Sequence, residues 1–108
     1  MKFPKDENGE LLREMHEAGI DLTEPRNVEF FAFFKTKQDA EAMVAALASD
    51  SDVVNTSLEH NEIQDDWDLC CSIQMVPSHA AITLRELSFT KLAEKHNGES
   101  DGWGVMEE

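Results

Sequence analysis

Hydrophobic residues recur along this chain with two different periods, and the switches between them mark its elements. Leu11, Met15 and Ala18 recur at i, i+4 and i+7, with Leu12 widening the stripe, which predicts an amphipathic helix from about Glu7 to Ala18. Gly19 predicts its stop, turning left-handed while Ile20 folds back near Met15. A polar connector, Asp21 to Asn27, leads into Val28–Phe34, where the period becomes two. Val28, Phe30, Ala32 and Phe34 then share one face, and Glu29, Phe31, Phe33 and Lys35 the other. The first face is purely apolar, the second apolar only at its centre.

Thr36 is placed to cap the next helix, in which Ala40, Met43, Val44 and Leu47 recur at helical spacing. A strand follows from Val53 to about Glu59, then a polar turn through Asn61 and Gln64. Trp67–Val76 predicts another strand, with Leu69, Cys71, Ile73 and Met75 alternating against Asp68, Cys70, Ser72 and Gln74. Pro77 ends it and Ser78 caps a helix from His79 to His96. That helix aligns Ile82, Phe89, Leu92, Ala93 and His96, leaving Leu84 and Leu87 for a secondary contact. Asn97-Gly98 stops it, and a short strand runs from Asp101 to Met106.

The order of elements predicts an α+β fold: a ferredoxin-like sandwich (βαββαβ) with a four-stranded antiparallel sheet, two helices on one face, and an extra N-terminal helix. At 108 residues a single domain is expected, with 1–24 as helix and connector and 25–108 as the core. Such a sheet leaves one face without helices. Phe31, Phe33, Cys70, Ser72 and Gln74 lie there, so the N-terminal helix or a second copy in a homodimer covers it, or it binds another protein.

Charge narrows the function. The net charge of -14 disfavours phosphate backbones and anionic lipid, so neither nucleic acid nor membrane is an expected partner. Half of it falls between Asp50 and Asp68, which hold seven acidic residues and no Lys or Arg. The paired aromatics resemble RNA-stacking sheets, but the cations that would hold phosphates are missing. Asp50-Ser51-Asp52 begins like a calcium loop, yet Val54 and Asn55 stand where a ligand and the turn glycine belong. The histidines lack zinc-ligand spacing, no phosphate-cradling glycine loop is present, and no nucleophile-base set can be assembled. No cofactor, metal or catalytic residue is expected. Cys70 and Cys71 point to opposite faces of a strand and cannot easily bridge. The N-terminal residues lack the apolar core of a signal peptide, and no stretch approaches a membrane span, so a cytoplasmic setting is expected.

Ser100-Asp101-Gly102-Trp103-Gly104 resembles the Tyr-Asp-Gly-Trp-Gly signature of the regulator of ribonuclease E activity B family, with Ser100 in place of the Tyr. Asp6-Glu7-Asn8-Gly9, Pro25-Arg26-Asn27-Val28-Glu29-Phe30 and Met75-Val76-Pro77-Ser78-His79 resemble further stretches of its short, tail-less members. The resemblance implies a ferredoxin-like, non-enzymatic cytoplasmic protein that binds endoribonuclease E and inhibits or remodels its RNA processing. Better-known members carry a long acidic C-terminal extension, whereas this sequence stops at Glu108. Partner contacts are therefore expected from Glu62, Asp65, Asp66 and Asp68 in the acidic segment, from Phe31 and Phe33 on the open face, and from Asp101 and Trp103 in the last strand, where Trp103 is either an anchor for a partner or a residue that closes the core. The alternative is a small-molecule-binding or oligomerising ferredoxin-like module that uses Phe31 and Phe33.

Overall fold

The strongest alternation in the chain forms the middle of the sheet. β1 (Arg26–Phe34) lies between β3 (Asp66–Met75) and β4 (Gly98–Val105), and β2 (Val53–Asn61) flanks β3, in the order β2-β3-β1-β4. Every pairing is antiparallel. With α1 (Glu7–Glu17), α2 (Lys37–Leu47) and α3 (His79–Lys95), the architecture is α+β. This computed structural model describes residues 3–105, so Met106, the expected end of the last strand, lies outside the described residues.

Alternation in β1 sends Val28, Phe30, Ala32 and Phe34 to the helical side, where all four are buried with Leu69, Cys71 and Ile73 of β3. Ala40, Met43 and Leu47 of α2 and Ile82, Phe89 and Ala93 of α3 close this core. The Phe30 and Phe89 rings meet at 5.7 Å. Burying each large side chain contributes roughly 1.5–3 kcal/mol, which is why the helices sit on this face. Each helix begins where a side chain accepts an otherwise unmade backbone bond. Asp6 accepts from Gly9 N–H at 2.7 Å, Thr36 from Asp39 at 3.2 Å and Ser78 from Ala81 at 3.2 Å. At the end of α1, Gly19 (φ +93°) donates to His16 O and Ile20 to Met15 O, the expected C-terminal motif.

Two details differ from expectation. Asn97, at φ +63°, makes the left-handed turn after α3, while Gly98 opens β4 against Phe34, whose ring a Cβ there would overlap. Leu84 and Leu87 make no secondary contact. Both face solvent, at 66% and 51% exposure, because α1 packs along another side of α3.

The attachment of α1 also overturns its expected role as a cover for the open face. Leu12 enters the helical-side core, and Asn8 Oδ1 accepts from Trp103 Nε1 at 2.9 Å while its Nδ2 donates to Glu86 at 3.0 Å. His79 Nε2 lies 2.9 Å from Asp6 Oδ2. These polar partners exist only on α3 and the helical side of β4, so the helix docks there.

Ala at position 98 must push the Phe34 ring out of the core. We expect Gly98→Ala to cost about 1–3 kcal/mol in urea denaturation, against about 1–2 kcal/mol for Gly102→Ala, which has space but keeps φ at +95°. Asp50 lies below its ordinary value of 3.8, held down by the Asp52 N–H and by Arg85 against partial burial. A carboxylate lowered on folding stabilises fully above its unfolded value and loses that contribution as the pH falls through its folded value. The stability difference between the protein and Asp50→Asn should be largest above pH 3.8 and close below it.

Candidate protein-docking face

The parity that buries Phe30 turns Phe31 and Phe33 to the opposite side of the sheet, where both remain half-buried. In register, Phe31 faces Cys70 and Phe33 faces Asp68 across β1–β3, and β2 sets Ser57 beside Cys70 and Glu59 beside Asp68. On the other flank Glu99 stands opposite Phe33. A bulge then inserts Asp101 and Gly102 opposite Phe31, turning Asp101 toward the same face. The result is a shallow groove of about 320 Å³ with Phe31 on its floor and Glu59, Asp68 and Asp101 in its walls. No Lys or Arg occupies these strand positions. Cations that stack on an aromatic face or pair with carboxylates suit such a surface.

Cys70 is part of this face. Its Sγ donates to Glu29 Oε2 at 2.9 Å, and burial together with that carboxylate pushes the thiol up to about 12. Burial pushes Cys71, on the helical side, up to about 11. Both stay protonated at neutral pH and are poor nucleophiles.

Of the residues expected to bind a partner, the structure brings Phe31, Phe33, Asp68 and Asp101 together. Glu62 and Asp65 stand apart at the β2–β3 turn, where Asp65 takes φ +54° and lies 3.1 Å from His60 Nε2. Asp66 is buried at 3% exposure, and its Oδ1 accepts no hydrogen bond among the described residues. Trp103 is not on the open face. The bulge reverses β4's phase so that Trp103 faces Phe30, and the indole is 9% exposed, sealing α1 against the core. The acidic segment is not one surface either: Asp50 and Asp52 lie 2.7 and 3.0 Å from the two terminal nitrogens of Arg85 and fasten α3 beside the α2–β2 connection. Glu29, Glu59 and Glu99 were missed as site residues. Alternation in β1 already puts Glu29 beside Phe31, whereas finding Glu59 and Glu99 needs the register of β2 on β3 and of β4 on β1, which cannot be read from one strand alone.

Residues 5–105 match the family described as regulator of ribonuclease activity B (RraB). The chain belongs to the RraB family. No curated protein sequence matches it. Three stretches that carry the RraB resemblance meet in space, through Asp6 with His79 and Asn8 with Trp103, so these motif residues serve the attachment of α1. Among the described residues no helix is long and apolar enough to cross a membrane, and no three His, Cys, Asp or Glu side chains are grouped to hold a metal ion.

The Glu29 carboxylate suppresses the Cys70 thiolate, so Glu29→Gln should raise the rate of Cys70 alkylation by iodoacetamide at pH 8 and leave Cys71 unchanged. Peptide mass analysis over time reads the two sites separately.

Proposed function

We propose that this RraB-family protein is a non-enzymatic, single-domain regulator that binds endoribonuclease E through the open sheet face and inhibits or remodels its RNA processing. The observation that carries this reading is the uncovered face itself, where Phe31 and Phe33 lie among Glu59, Asp68 and Asp101. Half-buried aromatics ringed by one sign of charge suit a protein partner with basic surface: the rings supply contact area that binding desolvates and the carboxylates steer the approach. A ribonuclease must present cations to RNA, and carboxylates can occupy surface otherwise used by phosphate. Glu62 and Asp65, which stand apart at the β2–β3 turn, add acidic charge at that end of the β2–β3 hairpin. The βαββαβ order after α1 supports reading the scaffold as a ferredoxin-like sandwich, and a cytoplasmic setting fits the proposed partner.

Self-association is the second reading, favoured by the same half-exposed rings. Sedimentation of the isolated protein separates the two, since a stable dimer buries Phe31 and Phe33 without any ribonuclease.

Phe31→Ala should weaken binding to endoribonuclease E by about 1–3 kcal/mol and relieve inhibition in a cleavage assay. Replacing Glu59, Asp68 and Asp101 with their amides should slow association more than it speeds dissociation and flatten the salt dependence. Unchanged binding and cleavage in both variants would refute the assignment.

A further inference from the structure

The two edges of the sheet differ. Among the described residues β4 is interrupted mid-strand by the Asp101–Gly102 bulge, whereas the register shift of β2 lies at its start, between Val53 and Asn55, and from Asn55 to Asn61 it pairs with β3 without a break and has no partner on its outer side. That stretch contains neither Pro nor Lys, the residues that usually protect an edge from adding another strand. A groove runs along each side of it. On the open face lies the groove walled by Glu59 and Asp68. On the helical side a second groove, of about 350 Å³, is lined by Val44, Ala45, Thr56 and Leu58, with Glu41 also contributing. Ser57 borders both.

A strand laid against β2 sends alternate side chains to opposite faces of the sheet. One set meets carboxylates and the other meets apolar surface. We propose that β2 is a strand-addition edge whose occupant is an extended segment of a partner protein with Arg or Lys at every second position and aliphatic residues between. Main-chain bonds to Asn55–Asn61 provide affinity, Glu59 and Asp68 select the basic positions, and Val44 with Leu58 selects the aliphatic ones. This deepens the regulator reading and rests on it only for the identity of the protein that carries the segment.

The test uses the full chain and synthetic seven-residue peptides, followed by fluorescence anisotropy and amide chemical shifts. An alternating Arg-Val peptide should bind at least about tenfold tighter than a peptide of the same composition with its arginines in one block. Backbone N-methylation of the alternating peptide should abolish binding in one two-residue phase and spare it in the other, because only one phase points its N–H groups at β2. Ser57→Lys, at an exposed position, should weaken binding, and the shifts should centre on Asn55–Asn61. Equal binding of alternating and blocked peptides, or no phase dependence, would overturn the proposal by showing charge attraction alone. Concentration-dependent shifts on β2 without peptide would overturn it in favour of a second copy as occupant. Endoribonuclease E cleavage is read separately with the Phe31 variant: if inhibition is still relieved while the peptide tests fail, strand addition falls and the regulator reading stands.

Discussion

The open sheet face exists because of where the first helix is held. Asn8 receives the indole N–H of Trp103 and donates to Glu86, and Asp6 caps α1 while lying against His79. Leaving the part-buried Asn8 amide or the Trp103 indole N–H without a partner costs about 1–3 kcal/mol, so the helix is committed to the α3–β4 side. A helix used there cannot also shield the sheet. The bare face with Phe31 and Phe33 is a consequence of that attachment, since α1 buries Leu12 in the same core as Val28, Phe30 and Phe34.

The same division explains the charge. The excess of acid between Asp50 and Asp68 looks uniform along the chain but has separate uses in the fold. Asp50 and Asp52 hold Arg85, Asp66 is enclosed, and Glu62 and Asp65 sit at a turn. Glu59 and Asp68, neighbours across β2–β3, are joined on the open face by Glu99 and Asp101 from the end of the chain and by Glu29 from β1. A surface assembled from four strands steers a cationic partner more effectively than the same charges strung along a flexible loop, since their positions relative to the aromatic floor are set.

Much of the scaffold was legible in the sequence because it rests on short-range periodicity. The alternation of β1, the helical spacing of Ala40, Met43 and Leu47, and the caps at Thr36 and Ser78 all depend on residues within a turn or two of one another. Parity also separated Phe30 from Phe31 and placed Asp68 and Cys70 correctly. What escaped depends on register between distant strands. The bulge at Asp101–Gly102 reverses the phase of β4, so that Trp103 enters the core although Asp101, two residues earlier, faces the groove, and no periodicity within eight residues reveals it. The Asp50–Arg85 pair and the Gly98–Phe34 contact likewise join residues whose spacing carries no local signal.

The claim that the open face is the docking surface has a direct test, since large apolar side chains reach solvent on both sides of the molecule, half-buried on the sheet and exposed on α3. Oxidative footprinting with and without endoribonuclease E compares Phe31 and Phe33 on the sheet with Leu84 and Leu87 on α3. Binding through the sheet shields both phenylalanines and leaves the leucines as reactive as before. Shielding of Leu84 and Leu87, with Phe31 and Phe33 unchanged, would contradict the account.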